Sequence, residues 1–382
     1  MKKIAVIFGT RPDTIKLATV ISELKKENDC FEVLTIASAQ HRQMLDQVLE
    51  VFELKPDNDL NIMKPNQTLA SITKDTIQEL DDIFVKEKPD MVVVQGDTTT
   101  TFLGALAAFY RQIPVGHVEA GLRTYDKLNP FPEEVNRMLT SCITKLHFAP
   151  TATAKKALIK ENNKKGDIFV TGNTVIDALE VAVRENFVFS VDKVNDIVAQ
   201  NKRIALVTMH RRENWGEPMK NAAKAIKSLA VQYPDINFIF PVHLNPVVRN
   251  AVNPILSKLT NVFLIEPLDY LDFVNLMSRC FLIFTDSGGV QEEGPHFGIP
   301  ILVFRKVTER PEAVKCGTVK LVGLNKSKIV KTAKNLIDNE EEYRKMASAV
   351  NPYGDGLASK RIVTIIKNYF GMGEELIEEF KL

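Results

Sequence analysis

The 382-residue chain is long enough for two domains of moderate size, and 45% hydrophobic with 25% charged residues is the profile of a soluble globular protein. Lys and Arg total 49 against 48 for Asp and Glu, so bulk electrostatic binding of nucleic acid is excluded and only local anion sites remain. Cys30, Cys142, Cys280 and Cys316 are far apart without a C-x-x-C pair, and no apolar run approaches membrane-spanning length; reduced thiols and a cytoplasmic location are expected.

Lys2-Lys3 followed by residues 4–8 superficially resembles a signal peptide, but the apolar run stops at Gly9-Thr10-Arg11-Pro12 and reads as a buried first strand. Further strands are predicted at 33–37, 91–95, 114–118, 146–149 and 168–170. Between the first two, Ile15, Ala18, Ile21 and Leu24 recur at helical spacing, and after Asp97 a helix carries Phe102, Leu103, Leu106 and Tyr110 on one face. The polar stretch 192–202 suits a linker region, after which the pattern restarts with strands at 204–209, 237–241, 262–265, 282–285, 301–304 and 319–322. The tail from Asp355 reads as a helix with a stripe of Ile362, Ile365, Ile366 and Tyr369. Apolar strands separated by helices imply parallel sheets covered on both faces, so the fold class is α/β with two Rossmann-like, doubly wound domains. Such domains are expected to face a cleft and bind ligand at the carboxyl ends of their strands. The expected division is 1–175, 176–355 and a C-terminal helix, 356–382, packing back on the first domain.

The candidate chemistry lies at those carboxyl ends. The first strand runs into Gly9-Thr10-Arg11-Pro12-Asp13-Thr14-Ile15-Lys16, where Thr10 and Asp13 have capping-box spacing. Arg11 and Lys16 near a helix N-terminus oppose the dipole unless an anion sits there. The strand at 282–285 enters Asp286-Ser287-Gly288-Gly289-Val290-Gln291-Glu292-Glu293, whose paired glycines let backbone N–H groups approach a phosphate. Glu293, one turn on, is placed for a ribose. Neither a Walker loop nor a G-x-G-x-x-G fingerprint is present, so a nicotinamide cofactor is not indicated. His210-Arg211-Arg212-Glu213-Asn214 follows another strand and reads either as a solvated loop or as a pyrophosphate clamp; His243 ends a strand and alone reads as structural. Asp97, Glu119 and Glu133 stand at three carboxyl-edge loops, the last beside Glu134, Asn136 and Arg137. Asp97 and Glu133 also suit helix caps. Acids repel a pyrophosphate, so a cluster of them serves the sugar, where paired acids and bases move protons.

Together these motifs resemble the non-hydrolysing UDP-N-acetylglucosamine 2-epimerases, over nearly the whole chain. The marks are Gly9-Thr10-Arg11-Pro12, Gln40-His41-Arg42, Gly96-Asp97-Thr98-Thr99, His117 to Arg123, Phe131-Pro132-Glu133-Glu134, His210 to Asn214, Asp286 to Glu293, Thr308 to Glu312 and Asn351 to Gly356. The resemblance implies the glycosyltransferase-B architecture, a homodimer, no cofactor and no metal. It implies interconversion of UDP-GlcNAc and UDP-ManNAc by anti elimination of UDP and re-addition through 2-acetamidoglucal, supplying ManNAc for cell-surface polysaccharide. Catalytic roles carry over to Asp97, Glu119, Glu133 and His210, with the base unassigned among the carboxylates. Substrate contacts carry over to Arg11, Lys16, Arg137, His243, Ser287, Gly288, Gly289, Glu293 and Arg310. A second UDP-GlcNAc is implied as an allosteric ligand at Gln40, His41, Gln43 and Arg211, a segment that otherwise reads as a polar helix start. Asp13 stands where the family usually has Glu, and Ala39 where it has Gly. The rival readings are a glycosyltransferase of the same architecture, a hydrolysing 2-epimerase releasing free ManNAc, and a nucleotide-sugar sensor without catalysis. Three acids exceed what simple transfer or sensing requires.

Overall fold

Runs of branched apolar residues become parallel strands when helices cover both faces of a sheet, because neither alternating position then meets water. The computed structural model describes residues 1–38, 42–62, 67–308 and 310–381. The chain divides into Met1–Glu180 with Tyr353–Lys381 as one unit and Val181–Pro352 as the other. Each unit is a parallel-sheet α/β domain.

The first unit has a 7-stranded sheet of order β3-β2-β1-β4-β5-β6-β7. Its strands are β1 (Lys2–Phe8), β2 (Phe31–Ala37), β3 (Asn58–Asp59), β4 (Met91–Gln95), β5 (Val115–Val118), β6 (Leu146–Ala149) and β7 (Ile168–Val170). Successive β1 residues feed two cores. Ile4, Val6 and Phe8 pack with Leu17, Val20, Ile21 and Leu24 of the helix Arg11–Lys26. Ala5 and Ile7 pack with Leu80, Phe84, Ala105 and Ala108. The second unit has a 6-stranded sheet of order β10-β9-β8-β11-β12-β13. These strands are β8 (Arg203–Thr208), β9 (Ile236–Pro241), β10 (Val262–Ile265), β11 (Leu282–Thr285), β12 (Ile301–Val303) and β13 (Val319–Leu321). In each sheet the strand order reverses once, between β1 and β4 and between β8 and β11. Ligands of doubly wound sheets bind outside the carboxyl ends at such a reversal.

All the apolar runs form strands, and four details differ from expectation. Strand β3 was not predicted, since Asn58 and Asp59 carry no apolar signal and pair only along the edge of β2. In the helix Thr99–Tyr110 the buried side is Leu103, Gly104, Ala105, Ala107 and Ala108, whereas Tyr110 is 64% exposed. The helix lies too close to the sheet for large side chains: a Cβ on Gly104 would stand 2.9 Å from Ile7 Cδ1. Residues expected to be a linker form the helix Asp192–Val198, with Val194 and Ile197 buried. Its Asn195 side chain closes on both the N–H and the carbonyl of Phe189, each at 2.9 Å. The C-terminal helix is Ala358–Tyr369; Ile362, Ile365 and Ile366 are buried in the first unit, but Tyr369 is exposed. Asp177 caps this helix, accepting from the Ser359 N–H at 2.7 Å, and Ser359 Oγ donates to Thr19 at 2.8 Å. Among the described residues no helix is long and apolar enough to cross a membrane.

His117 and His147 face each other across β5 and β6, both buried. Burial pushes His117 down to about 4 and His147 to about 3. The unfolded chain therefore binds protons that the folded one refuses below the ordinary imidazole value, and stability falls on acidification through that window. Asp13 and Asp177, raised by burial to about 6, act in the opposite sense. A comparison of His147→Gln with the native protein cancels that background. The variant should lose about 1 kcal/mol less stability than the native protein between about pH 7.5 and about pH 5.5, measured by urea unfolding. Parallel pH profiles would show that His147 is not held neutral.

Candidate active site

At the β1–β4 reversal the local sequence builds a rigid turn. Asp13, third residue of the helix Arg11–Lys26, accepts from the N–H groups of Gly9 (3.1 Å), Thr10 (2.7 Å) and Thr14 (2.9 Å) and from the Thr10 hydroxyl (2.9 Å). The capping box fixes where Arg11 leaves the strand. One turn later Lys16 is ion-paired with Glu119, both largely buried. Glu119 holds φ at 63°, a left-handed conformation costly for a non-glycine residue. The Gln95 amide donates to the same carboxylate.

Asp97 is held from the next helix, Glu133–Ile143. Arg137 Nη2 donates to its carboxylate at 2.5 Å and Asn136 Nδ2 to its carbonyl at 2.9 Å. Arg137 Nη1 in turn donates to Glu134 at 2.8 Å. Glu134 is fully buried and accepts from the N–H groups of Thr124 (3.0 Å) and Tyr125 (2.8 Å), tying the loop after Glu119 to the same helix. Those donors outweigh burial and lower its pKa. Glu133 Oε2, also buried, has no hydrogen-bond partner among the described residues. Buried acceptors are nearly always paired, so such an atom is placed to accept a hydrogen bond from a ligand hydroxyl.

At the β8–β11 reversal, Asp286 is fully buried. It accepts from the His210 N–H (3.1 Å to each oxygen), the Arg211 N–H (3.0 Å) and Asn214 Nδ2 (2.8 Å). Its Oδ1 lies 3.3 Å from His210 Nδ1. The His210 ring stacks on His243 with centroids 6.2 Å apart. Burial lowers the His210 pKa, with Asp286 opposing the shift and Arg211 and His243 reinforcing it. Ser287 is the N-cap of the helix Gly288–Glu293, and its side chain makes no capping hydrogen bond. A Cβ on Gly288 would come within 2.6 Å of Arg310 Nη1, so the missing side chain admits the guanidinium to the first turn. Arg310 is oriented by Glu292, accepting from Nε at 2.7 Å.

This arrangement offers an anion-binding turn with an adjacent cation in the second unit and several positioned carboxylates in the first. The family model for UDP-N-acetylglucosamine 2-epimerase matches residues 22–367. The chain belongs to that family. A UDP-N-acetylglucosamine 2-epimerase of Bacillus subtilis is 53% identical over 382 residues, covering 100% of this chain and 99% of its own. The solved UDP-GlcNAc 2-epimerase of Neisseria meningitidis, bound to UDP-GlcNAc, superposes with TM-score 0.86 at 51% identity over 96% of this chain and 100% of that one. That of Methanocaldococcus jannaschii, in complex with UDP-GlcNAc and UDP, gives TM-score 0.75 at 37% identity, covering 96% and 99%. As a member of the UDP-N-acetylglucosamine 2-epimerase family, the chain is an enzyme of the isomerase class.

Within this epimerase chain the structure joins several expected residues directly: Asp97 to Arg137, Glu119 to Lys16, His210 to His243 and Gly288 to Arg310. Glu293, expected near the ribose, has its Oε1 3.6 Å from the place of a Cβ on Gly289, and it is Glu292 that pairs with Arg310. Gln40, His41 and the side chain of Gln43 lie outside the described residues. Arg211 is described, and its Nε is buried without a partner among the described residues. The sequence reading missed the supports: Gln95, Glu134, Asn136, Asp286 and Glu292. Glu134 and Arg137 at (i, i+3) spacing were the visible signal for one of them. Removing Glu134 leaves Arg137 Nη1 and two loop N–H groups without their acceptor. Glu134→Ala should therefore cost about 3 kcal/mol of unfolding free energy in a denaturant titration, against about 1 for Glu134→Gln. Equal, small losses would show that the loop is held by other contacts.

Proposed function

We propose that the chain interconverts UDP-GlcNAc and UDP-ManNAc without a cofactor, through anti elimination of UDP and re-addition to 2-acetamidoglucal. The observation that carries this reading is the set of three carboxylates in different environments at the carboxyl edge of one sheet: Asp97 after β4, held by Arg137, and, on the connection after β5, Glu119 held by Lys16 and Glu133 with a buried oxygen that has no hydrogen-bond partner among the described residues. The carbon 2 proton is not activated by a carbonyl. A carboxylate takes it while the bond from carbon 1 to the diphosphate oxygen breaks, its electron pair leaving with UDP. Return of a proton to the opposite face and re-addition of UDP at carbon 1 completes the epimerisation. UDP-GlcNAc bound to the Neisseria relative supports the substrate.

The second unit supplies the leaving-group half of the chemistry. His210, Ser287, Gly288, Gly289 and Arg310 hold the diphosphate and stabilise its developing charge, with His243 beside them and Glu293 on the ribose. Arg11, Lys16 and Arg137 complete the substrate contacts from the first unit. The product supplies ManNAc units for cell-surface polysaccharide, and the enzyme works as a homodimer, for which exposed Phe109 and Tyr110 offer apolar surface. A second UDP-GlcNAc bound at Gln40, His41, Gln43 and Arg211 activates it; the Arg211 Nε, buried without a hydrogen-bond partner among the described residues, supports an anionic ligand there.

In deuterium oxide, UDP-GlcNAc should yield UDP-ManNAc deuterated at carbon 2, seen by NMR with no added cofactor. Product without deuterium refutes the elimination, and free ManNAc with UDP would mark a hydrolysing enzyme instead. Asp97→Asn, Glu119→Gln or Glu133→Gln should lower kcat by roughly two or more orders of magnitude with UDP affinity largely kept, whereas Arg11→Ala or Ser287→Ala weakens UDP binding by calorimetry. Acid variants unable to bind UDP would overturn this division of roles. Pure UDP-ManNAc should be barely consumed until a trace of UDP-GlcNAc is added, and Gln43→Ala should abolish the sigmoidal response. Prompt hyperbolic turnover of pure UDP-ManNAc rules the second site out.

A further inference from the structure

Asp286 does more than end a strand. Strand β11 lies directly beside β8, with Thr285 in register with Thr208, and the two threonine hydroxyls bond at 2.6 Å. The next residue, Asp286, therefore reaches the chain leaving β8, which is the segment carrying His210. Its carboxylate is fully buried and takes neutral donors from the His210 and Arg211 N–H groups and from Asn214. None of these cancels its charge. Among the described residues its ion-pair partner is the imidazole of His210, at 3.3 Å from Nδ1. A buried anion demands a proton on the facing nitrogen, and catalytic contacts of this kind are commonly long before substrate binds.

Imidazole has two distinct nitrogens, and the partner of one decides what the other offers. We propose that Asp286 is the positioning residue for His210: it keeps the proton on Nδ1, commits Nε2 to the substrate diphosphate, and sustains the imidazolium form as charge grows on the leaving group. The groups facing the ring are Asp286 at the end of β11, His243 after β9, and Arg211 from its own loop. Of these only Asp286 favours the cation, so the second proton depends on it. The same orientation logic governs a buried aspartate behind a catalytic histidine elsewhere in enzymology, where Asp→Asn selects the wrong tautomer. The proposal rests on the reading of His210 as a diphosphate contact.

The test is a long-range proton–nitrogen NMR correlation on enzyme labelled with nitrogen-15 histidine, with His210 assigned by its disappearance in His210→Gln. At about pH 8, where the imidazole is neutral, native His210 should carry its proton on Nδ1. Asp286→Asn, whose amide donates to Nδ1, should move that proton to Nε2 and lower kcat roughly ten- to hundred-fold, with KM changed by less than about threefold. A purely structural tether would leave the tautomer untouched. A native His210 protonated on Nε2 overturns the proposal, and that readout needs no variant should Asp286→Asn fail to fold. Unchanged tautomer and kcat in a folded Asp286→Asn overturn it equally. Undiminished kcat in His210→Gln would instead sink the diphosphate role of His210, which the tautomer measurement separates from the pairing itself.

Discussion

An ionised carboxylate moved out of water loses several kcal/mol of hydration unless donors replace the lost waters. Among the described residues, four buried acids each meet that condition with two or more backbone N–H groups, and the candidate functional loops depend on them. Asp13 collects the N–H groups of Gly9, Thr10 and Thr14; Glu134 those of Thr124 and Tyr125; Asp286 those of His210 and Arg211; Asp177 those of Ala358 and Ser359. Each gathers N–H groups from loops and first helical turns, where regular structure leaves most of them unsatisfied. The first three grip loops at carboxyl ends of strands, and the fourth fixes the C-terminal helix to the first sheet's domain.

The position of these clamps follows from topology. A parallel strand ends where its chain must turn into a helix, so its carboxyl end exposes N–H groups that point toward any ligand. Where the strand order reverses, two such ends diverge and leave space between them. Asp13 and Asp97 flank the reversal in one sheet, His210 and Asp286 that in the other. The buried strand interiors, from Ile4 to Phe8 and from Leu282 to Thr285, build the cores and hold these ends in register.

That distinction explains what the sequence made legible. Strands buried on both faces leave unbroken apolar runs, so their bounds were readable to within about two residues, and β3, a polar edge pair, was not. The helix Thr99–Tyr110 misled because size and burial part company there: close approach to the sheet selects Gly104 and Ala105 and turns Tyr110 outward. Candidate ligand-binding residues stood out as charges and glycines after apolar runs. Their supports did not, because the link between Asp286 and His210 spans 76 positions and that between Arg137 and Asp97 spans 40. No local pattern encodes such pairs. Asp286 and Glu134 were visible as residues, yet only the register of neighbouring strands and helices reveals what they hold.

The same long-range partners give three chemically identical groups three different characters. Asp97 faces a guanidinium that Glu134 also claims, so its charge is balanced and its direction fixed by a second acid. Glu119 faces an ammonium and an amide, and its backbone is held in a strained left-handed turn by the sheet beneath it. Glu133 has a buried oxygen with no hydrogen-bond partner among the described residues. In the proposed epimerisation, proton transfer to and from opposite faces of one carbon requires groups that do not exchange roles freely, and different environments are how like carboxylates are kept apart. A carboxylate already matched to a cation loses that partner's full strength if it is neutralised, whereas an unmatched one gains a donor on taking a proton. The asymmetry among Asp97, Glu119 and Glu133 is therefore built by Arg137, Lys16 and Gln95, residues that act through the carboxylates they hold.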